Sequence, residues 1–255
     1  FARFPQTRMG VEQIFVDYFT RAEDYMALKE SGASYRVDEE LETLAEILRG
    51  ERFISCHSYV QSEINMLMKV ADRFGFRVNT FTHILEGYKV ADKMKNHGVG
   101  GSTFSDWWAY KYEVKDAIPY NAAIMSREGV TVAINSDDRE MSRRLNQEAA
   151  KTIKYGGMSE LDAWNTVTIN PAQLLHLDDR TGSIKVGKDA YLVLWTDHPH
   201  LCIPLFCFII IMSPQPQCRL CCDPVPSSSI RPYPVRKRSN RNPATVGCGL
   251  SVAIK

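Results

Sequence analysis

The sequence predicts an α/β fold: half of a (β/α)8 TIM-type barrel, then a turn-rich closing passage and an irregular tail. Three observations predict it. Short apolar runs alternate with helical stretches of about 10–15 residues, the rhythm of parallel βα units. Three of those runs end in a residue able to bind metal: FISC ends at His57, VNTFT at His83 and VTVAINS at Asp137. The intervals, 26 and 54 residues, match one and then two strand-helix units, because a barrel of ~250 residues spends roughly 31 on each. All three side chains would then lie on the rim where such barrels do their chemistry.

The elements follow in order. Residues 9–29 read as a helix, with Val11, Ile14, Phe15, Tyr18, Phe19, Ala22 and Tyr25 on one stripe. Asp38 caps a second helix, which turns Leu41, Leu44, Ala45 and Leu48 inward and stops at Gly50. Strand 52–57, helix 61–74, strand 77–82, helix 86–97, a short strand 99–103, a helix near 114–128 and strand 130–135 come next. Gly75, Gly98 and Gly129 sit where each helix must turn back into a strand. Residues 140–155 and 159–168 are again helical, and Asn170-Pro171 opens a further short helix. A turn-rich passage at 182–190 leads into strand 191–195. Four barrel strands leave unpaired edges. The sequence therefore implies either further chain before Phe1 or strands from a partner, as in a homo-oligomer.

Composition draws one sharp boundary. At 44% hydrophobic and 24% charged residues the chain has the balance of a soluble globular protein. Its net charge of +1 conceals an asymmetry. Residues 1–200 carry 24 basic against 29 acidic side chains, and residues 201–255 carry seven basic ones against Asp223 alone. Six of the seven cysteines and eight of the 12 prolines also follow position 200. The organisation expected is a barrel portion over 1–180, a closing passage over 181–200 and an unrelated, disordered tail over 201–255, as from a shifted reading frame.

Several functions are disfavoured. The apolar run 201–212 is too short for a membrane span, which needs about 20 residues. Cys218, Cys221 and Cys222 have no second pair at a zinc-finger spacing. Arg236-Lys237-Arg238 is a weak signal for nucleic acid. No signal-peptide pattern opens the chain, and nothing else in it reports a compartment.

Five passages resemble the amidohydrolase superfamily, most closely its imidazolonepropionase-like branch. They are Cys56-His57-Ser58-Tyr59, residues 83–92 (HILEGYKVAD), residues 106–113 (DWWAYKYE), Asn135-Ser136-Asp137-Asp138, and residues 168–172 (TINPA) leading to 182–195. The resemblance spans residues 3–199 and implies the carboxyl-terminal half of the family's (β/α)8 TIM-type barrel, with residues 181–200 the remnant of a small closing β-sandwich. It implies that His57 and His83 end the fifth and sixth barrel strands as metal ligands, and that Asp137 ends the eighth. Asp137 would both bind the metal and take a proton from the attacking water. Zn2+ suits two imidazoles and a carboxylate, and it lowers the pKa of a bound water.

The implied reaction is hydrolysis of a non-peptide C–N bond, in a small-molecule substrate such as a cyclic amide or amidine. The chain departs from the family pattern in two places. Nothing in residues 1–50 matches the family's first-strand His-x-His pair, and Ser55-Cys56-His57 stands where relatives often carry a second one. A catalytically incompetent remnant acting as an interaction module is the alternative. Trp107, Trp108 and Tyr110 are candidate substrate-pocket walls, with core packing as their other reading. Glu86 either orients His83 or serves a helix start. Asp138 either supports the site or caps a helix. His97 and His176 are read as structural.

Overall fold

The computed structural model describes residues 3–195, 198, 200, 207–212 and 251–254. Helix α1 (Arg8–Glu30) starts where the Thr7 hydroxyl accepts a hydrogen bond from the Gly10 amide, and its Phe19, Ala22 and Tyr25 are buried. Helix α2 (Glu39–Leu48) starts at Asp38, whose carboxylate accepts from the Glu40 and Leu41 amides. Both caps satisfy amides that the helix itself leaves unpaired. The two helices pack together through Ala22, Tyr25 and Leu41, and the Tyr25 hydroxyl donates to Glu42 at 2.7 Å.

The sheet that positions the site has four parallel strands in sequential order: β1 (Ser55–His57), β2 (Thr80–Thr82), β3 (Gly100–Thr103) and β4 (Val132–Ile134). Helix α3 (Gln61–Phe74) connects β1 to β2, α4 (Ala91–His97) connects β2 to β3, and α5 (Asn121–Arg127) connects β3 to β4. One face of the sheet feeds the main core. Phe81, Val78, Val132 and Ile134 pack with Ile64, Met94 and Met125, all buried. Gly75 and Gly98 end α3 and α4 in the left-handed conformation, with φ of 74° and 78°. Glycine adopts that conformation without a Cβ clash.

The other face is small and polar. Ser55, Thr80, Thr82, Ser102 and Ala133 line a cavity of about 330 Å3, with Pro171 and Leu174 across from them. Leu174 ends helix α8 (Ile169–Leu174) and packs against bare backbone at Gly100, where any Cβ would collide with it. The two edges of the sheet differ. On β4 the Ile134 amide donates to the Thr166 carbonyl at 3.0 Å, and the Asn170 side chain donates to the Val132 carbonyl at 2.8 Å. On β1, Ser55 and His57 stay exposed, and no described strand pairs beyond them.

After β4 come α6 (Leu145–Gly156), α7 (Glu160–Asn165) and α8. Strand β5 (Ala190–Trp195) then pairs antiparallel with β6 (Cys207–Met212) and β7 (Ser251–Ile254). Among the described residues no helix is long and apolar enough to cross a membrane.

Three expectations are corrected. The helix expected over 86–97 divides into a 3-10 turn (Gly87–Lys89) and α4. Tertiary partners claim its first turn, since the Glu86 carboxylate accepts from the Gln61 amide and Asn121 accepts from the Tyr88 amide. The helix expected near 114–128 divides into a 3-10 turn (Tyr112–Val114) and α5, because Pro119 lacks an amide donor and pushes its predecessor out of helical conformation. Within the stretch read as a disordered tail, β6 and β7 are strands. The β-branched and aromatic run of β6 suits a strand that can pair along the open edges of β5. The cysteines at 218–222 and the basic run at 236–238 lie outside the described residues.

Candidate metal centre

The carboxyl ends of the parallel strands build the site. His57 is the last residue of β1 and lies in register with Thr82 of β2, so His83 is the next residue along the neighbouring strand. Their imidazoles meet edge to face, with centroids 4.4 Å apart and an interplanar angle of 83°. The His83 ring stacks on Phe104, 4.8 Å away, and the His57 ring meets the edge of Tyr59 at the same separation. His83 Nδ1 is buried with no hydrogen-bond partner. A buried polar atom without a partner is costly, and such atoms concentrate where a ligand belongs.

Asp137 follows β4 by three residues. It is close enough to His83 that its carboxylate acts on the imidazole electrostatically. Burial pushes the His83 pKa below its ordinary value and repulsion from His57 adds to this, while Asp137 pulls the other way. The net effect keeps the ring neutral, the form that presents a lone pair to a metal. His83 and Asp137 both hold left-handed backbone, with φ of 61° and 49°. For non-glycine residues this costs about 1 kcal/mol or more, and such strain gathers at functional sites.

The donor chemistry fits a divalent ion: two imidazoles, one with an orphaned nitrogen, and a nearby carboxylate. The spacing is not closed. Among the described residues no three His, Cys, Asp or Glu side chains converge tightly enough to form a ligand set. The structure brings the two imidazoles into contact and places Asp137 within electrostatic reach of His83.

The remaining candidates separate. Trp107 packs on Phe104 and donates its indole N–H to the Ser136 carbonyl at 3.0 Å, joining the loops that follow β3 and β4. Tyr110 lies against Trp107, ring to ring at 5.2 Å. Trp108 turns instead to Tyr155 of α6, edge on at 5.8 Å, and is 37% exposed. Glu86 does not hydrogen-bond to His83. Its carboxylate is buried at the start of α3, taking the Gln61 amide and the Lys89 ammonium, because that helix end offers a free amide. Asp138 accepts from the Glu140 and Met141 amides at 2.8 Å and closes the turn that leads into the 3-10 helix Met141–Arg144.

His97 is held between Asp72 and the Val78 amide. His176 stacks on Phe53 and bonds Asn79, at the opposite end of the strands from His57. His198 and His200 pack near α7, by Glu160 and Trp164 respectively.

Tyr59, Phe104 and Lys111 were not anticipated as neighbours of the site. The Lys111 ammonium sits 4.4 Å from the Tyr59 ring centre and bonds its hydroxyl. Phe104 was recoverable in principle, since it directly follows β3 at the height of the other rim residues.

Polar side chains at the carboxyl ends of parallel strands occupy the rim where α/β-barrel enzymes do their chemistry. The match to known proteins is narrower: the amidohydrolase family model covers residues 14–218, so the chain belongs to the amidohydrolase family. It is 28% identical over 214 residues to amidohydrolase tasK of Hapsidospora irregularis, covering 76% of this chain and 22% of that protein. It is 34% identical over 86 residues to the imidazolonepropionase of Bacillus cytotoxicus, covering 31% and 20% of the two chains. Among solved structures, an amidohydrolase from Thermotoga maritima MSB8 superposes with a TM-score of 0.71 at 30% identity, covering 78% of this chain and 53% of that one. The chain spans between about a fifth and about half of the length of these relatives.

Proposed function

We propose that this chain carries the carboxyl-terminal half of a metal-dependent hydrolase site that cleaves a non-peptide C–N bond in a cyclic amide or amidine-like substrate. The observation that supports this best is the His57–His83 pair at adjacent strand ends, with His83 Nδ1 buried and unpartnered. His57, His83 and Asp137 would hold the ion, and Zn2+ matches their chemistry. Bound there, a divalent ion acidifies water and polarises a carbonyl.

The chain's own residues supply the rest. Asp137 accepts the proton from the attacking water and returns it to the departing nitrogen. Phe104 and Tyr59 wall the His83 imidazole, with Trp107 behind Phe104, while His57 stays open to solvent. Tyr110 extends that wall outward as a substrate contact. We read the four-stranded sheet as half of the barrel and β5 as the remnant of the closing sandwich. Partner strands along the exposed β1 edge would complete the ring.

Two features favour a second reading, a fold remnant that serves as an interaction module: the open β1 edge and the lack of a closed three-ligand set among the described residues. Metal analysis of the purified chain separates the two. The enzyme reading expects close to one zinc per chain, lost in His57→Ala. Less than about one-tenth equivalent, unchanged by that substitution, favours the remnant.

A further inference from the structure

The rim loop after β3 reaches across to the loop that presents Asp137. Trp107 Nε1 donates to the Ser136 carbonyl at 3.0 Å, and that carbonyl belongs to the peptide immediately preceding Asp137. The orientation of this peptide plane sets φ of Asp137, which is 49°. A left-handed aspartate relaxes toward ordinary backbone unless its neighbours oppose it. Ser136 is itself buried, so its carbonyl has little recourse to water if the indole is removed.

Trp107 is held in turn. It too has a left-handed backbone, with φ of 65°, and so has Ala109, at 52°. Its ring is pinned between Phe104 and Tyr110. The two residues before it are tied to α6. The Ser105 hydroxyl donates to Glu148 Oε2 at 2.5 Å, and the Lys151 ammonium bridges Asp106 to both Glu148 oxygens. Glu148 is buried while Lys151 and Asp106 keep partial solvent contact, so the lock ties a desolvated carboxylate to the rim loop.

We propose that Trp107 is a positioning residue for Asp137: its indole N–H fixes the Ser136–Asp137 peptide, and the Ser105–Glu148–Lys151–Asp106 cluster fixes Trp107. The role rests on the reading of Asp137 as a metal ligand and base. A change at Lys151 reaches Asp137 through the 105–109 loop and the indole.

The test uses the full chain, Trp107→Phe, which keeps the ring and removes the N–H, and Lys151→Met, which releases the lock should the first variant fold poorly. Amide hydrogen exchange is measured by residue. Trp107→Phe is expected to speed exchange at residues 136–138 about tenfold or more and to leave α6 unchanged. Lys151→Met is expected to speed exchange at both 105–109 and 136–138. Exchange at 136–138 equal to wild type in both variants overturns the proposal, whatever the metal does.

Co2+ titration followed by its visible absorption supplies the second arm. Weaker binding in both Asp137→Asn and Trp107→Phe, by about tenfold, supports the proposal. Weakening in Asp137→Asn alone overturns the positioning role and leaves the metal site standing. Wild-type binding in Asp137→Asn removes the metal-site reading and the positioning role with it.

Discussion

The imidazoles of His57 and His83 stand edge to face, 4.4 Å between centroids, although 26 residues of chain separate them. The parallel register of β1 and β2 causes this, because it aligns His57 with Thr82 and brings the next side chain to the same rim. If the pair is a metal seat, each ring contributes one donor. His57→Ala and His83→Ala should each weaken Zn2+ binding by well over about tenfold, read by competition with a chromophoric chelator. Affinities matching wild type in both variants would remove the metal from this site.

A pH dependence follows from burial of His83. Its folded pKa lies below the ordinary 6.5. The folded state therefore binds fewer protons at this ring than the unfolded state does. The associated stability is fully present above about pH 6.5 and is lost as the pH falls below that value, through the folded pKa. Urea midpoints measured from about pH 7 down to about pH 5 should drop more steeply for wild type than for His83→Gln. Parallel profiles would show that another group carries the acid sensitivity.

The α6 lock has a stability consequence of its own. Lys151→Met leaves the buried Glu148 carboxylate with the Ser105 hydroxyl as its only side-chain partner among the described residues. Breaking such a pair costs about 2–3 kcal/mol, allowing for the partial exposure of Lys151. The double variant Glu148→Gln/Lys151→Met should recover part of that loss, because no charge then stays buried. Urea unfolding of the three proteins measures both quantities. A double variant weaker than Lys151→Met alone would contradict the account.

The covered edge of β4 offers a fourth test. Asn170→Ala removes the donor to the Val132 carbonyl and should cost about 1 kcal/mol in thermal or urea unfolding. The amide of Ile134 keeps its bond to Thr166, so the strand should stay paired. A loss within error of zero would mean that water replaces the Asn170 side chain without penalty.

Much of the scaffold was legible. The limits of α3 match the expected 61–74 because its apolar positions recur at helical spacing and Gly75 closes it. The strands were anticipated in place but come out shorter, limited to the residues that pair in the parallel ladders. The split helices were missed where the competing partner lies far away in sequence. Glu86 gives its carboxylate to α3 and Tyr88 gives its amide to Asn121, and neither relationship leaves a local signature. The aromatic surroundings of the site were half legible. Trp107 was a candidate wall, but its bond to Ser136 spans 29 positions, which no pattern encodes.

Hydrophobic periodicity and strand-end chemistry were enough to name the parallel sheet, its order along the chain, and His57, His83 and Asp137 as rim residues. Those properties are local, written in every second or every third-to-fourth side chain. Which rings touch, which carboxylate serves a helix rather than the site, and which sheet edge is covered were decided by packing. Such contacts join segments tens of residues apart, and their geometry exists only once the chain has folded around a common core.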